Sequence, residues 1–230
     1  MNYIILAIFL AIQVSVVAQE KVSETSETSQ KGVLLRFTSF GLKERGGEYV
    51  LATGETRTEP FALPDNCFSK PVAAPAKASE FALGRNTADE FRALASIKLP
   101  ETGKRFLVLV FPARGGLLQT IIVRADDPAF KPSQIMLINL AQETFAGELG
   151  DKKLRFEPGS QTIFRPQRKG ELANYQVRFF MNKNGKSKIF AASLWPYFEN
   201  KRAFVFLYKD RVTGSAGYRS IDEFTGWVEK

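Results

Sequence analysis

Three pairs of adjacent carboxylates, Asp89-Glu90, Asp126-Asp127 and Asp222-Glu223, come nearest to a catalytic constellation in this 230-residue chain. Hydrolysis of a glycosidic bond needs only two carboxyl groups about 5 to 10 Å apart, one to protonate the leaving oxygen and one to attack or to activate water. Neighbours on an extended strand point to opposite faces, so adjacency in sequence does not make a dyad. The chain contains no histidine. That removes the side chain that titrates near neutral pH, most transition-metal sites and every triad built on an imidazole. Its one cysteine, Cys67, lies in the turn-rich stretch FALPDNCFSKP, with no second cysteine to bridge to and no histidine to activate it. Arg114-Gly115-Gly116 follows a strand-like run and precedes no helix, so it reads as a hairpin turn and not as a phosphate-cradling loop. Asp126 and Asp127 stand beside Pro128 and Lys131, too few oxygen ligands to specify Ca²⁺. These residue types imply no catalytic residue, no cofactor and no metal.

They do suggest binding. Lysine and arginine outnumber aspartate and glutamate by 32 to 24, a net charge of +8. The excess is one-sided: residues 19–130 hold 15 basic and 14 acidic side chains, residues 131–230 hold 17 and 10, so the two parts carry +1 and +7. The cations of the second part fall in turn-like places: Lys152, Lys153 and Arg155; Arg165, Arg168 and Lys169; Lys183, Lys186 and Lys188; Lys201 and Arg202; Lys209 and Arg211. Brought together, they would attract an anionic polysaccharide or lipid headgroups, with affinity falling as salt rises. Scattered, they would only keep strand edges soluble. No specific nucleic-acid partner is expected. Trp195, Tyr197 and Phe198, in LWPYFENKR, are the candidates for stacking on a sugar ring, or alternatively for closing the end of a core.

The elements that must position these residues are strands. Apolar and polar residues alternate, or apolar residues run together, over five to nine positions bounded by Gly, Pro, Asn and Asp. This pattern predicts strands over residues 33–40, 48–53, 59–63, 80–83, 92–99, 105–111 and 117–124, then 134–140, 153–156, 162–165, 175–181, 188–194, 203–208 and 216–221. Asn184-Gly185 joins two of them through a pair suited to the positive φ of a tight hairpin. One helical turn is expected at Thr87–Phe91, with Thr87 as cap. A pattern repeat aligns ASIKLPETGKRFLVLVF, from Ala95, with ASLWPYFENKRAFVFLY, from Ala192, at an offset of 97 residues, and VLLRFTSF, from Val33, with IMLINLAQ, from Ile135.

A unit of about 100 residues with about seven strands has the dimensions of an immunoglobulin-like sandwich. The expected organisation is therefore all-β, with two tandem immunoglobulin-like β-sandwich domains over residues 33–127 and 133–230. Residues 1–18, MNYIILAIFLAIQVSVVA, read as a signal peptide cleaved before Gln19, and 19–32 as a flexible polar lead-in. In gross anatomy the chain is similar to exported bacterial proteins made of tandem immunoglobulin-like or fibronectin-type domains, although it lacks the Cys-Trp-Cys pattern of antibody domains. The expected function is a non-enzymatic binding or structural module of the envelope or extracellular space, not membrane-spanning once the leader is removed. Two alternatives accompany it. One is a periplasmic assembly partner or chaperone that pairs an edge strand, for which Leu117–Arg124 is the candidate. The other is a carboxylate hydrolase using Asp126 and Asp127.

Overall fold

The two most apolar runs of the chain, RFLVLVF and RAFVFLY, become strands buried on both faces, and the other strands are arranged around them. The computed structural model describes residues 32–42, 47–75, 78–87, 90–167, 174–183, 185–210 and 213–224, which belong to one compact unit. The expected leader, and all of the polar lead-in but Gly32, lie outside the described residues.

The strands of the first half are β1 Leu34–Ser39, β2 Glu48–Thr53, β3 Thr56–Arg57, β4 Phe61–Ala62, β5 Val72–Ala73, β6 Glu80–Asn86, β7 Phe91–Lys98, β8 Arg105–Pro112 and β9 Leu118–Arg124. They form two sheets, ordered β5-β1-β8-β9 and β3-β2-β6-β7, with β4 added beside β2. In the second half, β10 Ile135–Asn139, β11 Phe145–Leu149, β12 Lys152–Phe156 and β13 Gln161–Phe164 come first. The longer strands β14 Asn174–Lys183, β15 Lys186–Pro196, β16 Lys201–Lys209 and β17 Ala216–Phe224 follow. Their sheets are ordered β13-β10-β16-β17 and β12-β11-β14-β15. The protein is thus all-β and built of sandwiches, as the alternation predicts. The pairing scheme repeats: β1 runs parallel to β8 as β10 does to β16, and the other pairs are antiparallel. The sequence repeat falls on equivalent pieces, the β7–β8 and β15–β16 connections.

Side-chain parity explains the stacking. On β8, Phe106, Val108 and Val110 enter the core of the first sandwich with Leu35, Phe37, Leu51 and Leu83. Leu107 and Leu109 point the other way and meet Phe204 and Phe206 of β16 in a third core, with Phe40, Val123, Met136 and Ile138. On β16, Ala203, Val205 and Leu207 enter the second sandwich, where Phe145, Phe156 and Phe179 pack. An apolar run without alternation is the sequence form of a strand covered on both sides. The four sheets therefore stack in series around three cores.

Where the structure departs from the predicted strands, local geometry gives the reason. β11 is a strand that the alternation does not predict; it contains Gly147, where a Cβ would stand 2.9 Å from the Phe156 ring, so the glycine makes room for that ring. β3 and β5 are two residues each, too short for alternation to register. At the expected hairpin Lys183 pairs with Lys186 and Gly185 has φ +74°, while Asn184 lies outside the described residues. Of the expected helical turn, Thr87 accepts the Glu90 N–H at its hydroxyl, at 3.1 Å, and Phe91 opens β7; Ala88 and Asp89 lie outside the described residues.

Phe206, fully buried in the third core, tests its weight. Phe206→Ala is expected to lower the unfolding free energy by about 3–5 kcal/mol in a urea titration. A loss near zero would show that the contact between the two sandwiches carries little stability.

Candidate ligand-binding surfaces of the second sandwich

The carboxylates come first, because the hydrolase alternative rests on them. Asp126 accepts the Lys104 N–H at 2.7 Å and the Arg124 Nε–H at 2.9 Å. Partial burial opposes its ionisation, but these donors hold its carboxyl below the usual range. Asp127 Oδ1 accepts the Ala129 N–H at 2.8 Å. Asp126 thus ties the end of β9 to the connection between β7 and β8, and Asp127 braces the turn between β9 and β10. Asp222 and Glu223 emerge on opposite faces of β17, Asp222 exposed and Glu223 buried, as strand alternation requires. Asp89 lies outside the described residues.

Among the expected binding cations, Arg202 requires correction. Its side chain is 1% exposed, and Nε donates to Glu223 Oε2 at 2.5 Å. Its Nη1 donates to the Phe130 carbonyl at 3.2 Å, and its guanidinium lies over the Phe130 ring. Arg36 of the first sandwich reaches the same carboxylate, Nη1 to Oε1 at 3.1 Å. Arg202 therefore belongs to the joint between the sandwiches and is closed to an external anion. Burial pushes the Glu223 carboxyl up, against the pull of Arg202 and Arg36. In the sequence Arg202 looks like a turn cation beside Lys201; its fate is set by position, since it shares the strand face of Phe204 and Phe206.

The remaining cations are dispersed. Lys152, Lys153 and Arg155 lie on the edge strand β12, and Lys186 and Lys188 on β15 at the opposite edge of the same sheet, all exposed. Lys153 stands 3.9 Å from Glu148, which also meets Arg178 at 3.5 Å, and Arg155 pairs with Glu157 at 2.5 Å. Arg165 is exposed beyond β13 in the other sheet. Lys209 pairs with Glu143. Arg168, Lys169, Arg211 and the side chain of Lys183 lie outside the described residues. Cys67 is exposed on the first half.

A cleft of about 210 Å³ opens at one end of the second sandwich, lined by Trp195, Phe198 and Lys201 of the expected set together with Tyr175, Tyr218 and Asp222. Tyr197 is half-buried and does not line it. A bulge makes this arrangement. The Asn184-Gly185 turn alone would pair Tyr175 with Leu194; the extra residue on β15 opposite Phe179 and Phe180 shifts the register by one and pairs it with Trp195. Trp195 thereby packs on Tyr175, Phe179 and Tyr218, with centroids 6.3, 5.9 and 5.6 Å away, while Leu194 turns outward, 63% exposed. Lys201 Nζ donates to Asp222 Oδ2 at 2.6 Å and lies 3.5 Å from the Phe198 ring centroid. Burial, and secondarily the Asp222 charge, push the Tyr175 phenol far above its ordinary range, so it remains a hydroxyl at neutral pH. Tyr175, Tyr218 and Asp222 carry no individual signal in sequence; strand register alone gathers them.

All of this defines an all-β sandwich protein with surface clefts and exposed cations at the edges of its second half. No family model and no curated protein matches the chain. Among solved structures it is matched to the crystal structure of "a putative cell adhesion protein" from Bacteroides uniformis, at 10% identity over 85% of this chain and 98% of that one, with a TM-score of 0.22. The fold stated above rests on the strand pairing of this chain.

Removing Arg202 leaves Glu223 buried with Arg36 as its remaining charged partner. Arg202→Ala is expected to cost about 3–5 kcal/mol in chemical denaturation. A loss below about 1 kcal/mol, the range of an exposed pair, would contradict the burial of this joint.

Proposed function

We propose that the chain is a non-enzymatic, exported binding and structural module of the envelope or extracellular space, whose second sandwich holds an anionic glycan or lipid headgroups through its edge cations. The reading of export follows from the leader at residues 1–18, whose apolar run is short and ends at small residues. Among the described residues no helix is long and apolar enough to cross a membrane. The non-catalytic reading is supported by the lack of histidine in the sequence and by the use of Asp126 and Asp127 as backbone acceptors.

One observation carries the contact itself. Lys153 and Arg155 have side chains 86% and 74% exposed on one edge of a sheet whose other edge bears the exposed Lys186 and Lys188. The two edges are three strand spacings apart, about 14 Å, and the register puts Lys153 and Arg155 on the face of Glu148 and Arg178 and Lys186 and Lys188 on the opposite face, with Met181. A flexible polyanion that passes round the sheet edge reaches both pairs, and a headgroup layer meets one of them. The acids beside these cations, Glu148 and Glu157, make solvent-exposed pairs, weak enough to give way to a multivalent anion. A second reading is a protein partner on β9, favoured because β9 is a sheet edge paired only with β8. Backbone pairing of that kind would depend little on salt.

The test is co-sedimentation of the full chain with anionic and with zwitterionic phospholipid vesicles, and in parallel its retention on a sulfated polysaccharide. Binding to an anionic support is expected at low ionic strength. It should weaken steeply towards about 0.5 M salt, and the combined variant K153A/R155A/K186A/K188A should lose more than about tenfold in affinity. No binding to either support at low ionic strength, or binding unchanged in the fourfold variant, would remove the proposal.

A further inference from the structure

The aromatic cleft and the dispersed cations differ in chemistry, and the difference specifies a second ligand. The cleft floor is rings: Tyr175 at 8% exposure, and the half-buried Trp195 and Tyr218, with Phe198, 42% exposed, at the rim. Its accessible charged groups are Lys201 and Asp222, held together at 2.6 Å and so of opposite sign within a single bond; Arg202 also lines the cleft but is 1% exposed and is compensated by Glu223. An anion approaching Lys201 meets Asp222, and a cation approaching Asp222 meets Lys201. The pair cancels at a distance; with one ammonium N–H given to Asp222 Oδ2, what it offers at close range is chiefly the second carboxylate oxygen, Oδ1, and the remaining N–H groups of Lys201. Asp222 is 44% exposed in its side chain, so at least part of the carboxylate faces outward. A ligand that stacks an apolar C–H face on aromatic rings while donating and accepting through neutral hydroxyls meets all of these conditions.

We propose that the cleft between the ends of β15 and β17 is a binding site for a single neutral sugar ring, with Trp195 and Tyr218 as the stacking surface and the Lys201–Asp222 pair as the hydroxyl-reading group. Size supports one ring. Sites for drug-sized ligands run to about 300–1,000 Å³, and this cleft holds about 210 Å³, room for one residue at the end or side of a chain. Positional stability comes from the bulge on β15: with Trp195 fixed opposite Tyr175, its ring packs among other aromatics and costs little to order on binding. This site is independent of the edge cations. It accounts for a neutral part of a ligand, where those account for a charged one.

Titration of the full chain with glucose, galactose, mannose and N-acetylglucosamine, followed by tryptophan fluorescence, tests the proposal. The second tryptophan, Trp227, is replaced by phenylalanine in all samples, so that Trp195 alone reports. At least one sugar is expected to saturate with a dissociation constant of order 1 mM, the same within about twofold at low salt and at about 0.5 M salt. Asp222→Asn, which removes charge without removing volume, and Lys201→Met should each weaken it by about tenfold or more. Trp195→Ala, followed by NMR shifts instead of fluorescence, should abolish it. No saturation by any of the four sugars, or affinity unchanged in Asp222→Asn, would overturn the proposal. So would affinity that collapses with salt, which is the behaviour expected of the edge cations. Loss of polyanion binding in the fourfold cation variant with sugar binding intact would separate the two sites.

Discussion

Two strands have no solvent face, and the rest of the molecule depends on that. β8 and β16 each bury alternate residues in a sandwich of their own and the others in a common core, where Leu107 and Leu109 meet Phe204 and Phe206. Both strands also carry the parallel pairing of their sheets, to β1 and β10. Once these two are set face to face, the outer sheets β3-β2-β6-β7 and β12-β11-β14-β15 must lie at the two ends of the stack. Polar contacts mark the same joint. Glu223 takes Arg202 from its own sheet and Arg36 from the other half, while Arg219 donates to the Ser39 carbonyl at 2.7 Å and covers the Phe40 ring. The joint therefore combines apolar area, which supplies most of the attraction, with a buried charge network that fixes orientation at little or no net gain.

The functional surfaces are what this constraint leaves over. With the inner sheets committed to each other, ligands can reach the outer sheets, the strand edges and the ends. Lys152, Lys153, Arg155, Lys186 and Lys188 are exposed on β12 and β15, both edges of an outer sheet, and the cleft opens where β15 and β17 leave the core uncovered at one end. A binding module gains from such a body, because two surfaces held on one stiff frame keep a fixed separation and can engage one extended partner together. The charges also divide in kind. Cations at the edges give range and salt dependence, and a compensated pair in the cleft gives short-range selection of hydroxyl groups.

Much of this was legible in the chain, for identifiable reasons. Alternation located most strands because each outer strand has one wet face, and the Asn184-Gly185 pair fixed a hairpin. The repeat located equivalent pieces because both halves need a doubly buried strand after an edge strand and a polar turn. What escaped notice was whatever depends on register or on stacking between the halves. Arg202 looked free because nothing local says that the face of Phe204 and Phe206 is covered from outside. β11 was not predicted at all, and the place of Gly147 in it follows from a ring, Phe156, that lies on the next strand. Trp195 was singled out by type, but its partners Tyr175 and Tyr218 were not, since a bulge one residue long decides which of Leu194 and Trp195 faces inward.

The core between β8 and β16 joins the two sandwiches into one folding body, and differential scanning calorimetry of the intact chain tests this. A single transition is expected, in which the calorimetric and van't Hoff enthalpies agree, because neither half can melt without exposing the phenylalanines of the other. Two resolved transitions, each with about half of the total enthalpy, would mean that the sandwiches fold separately and that the joint is only a contact.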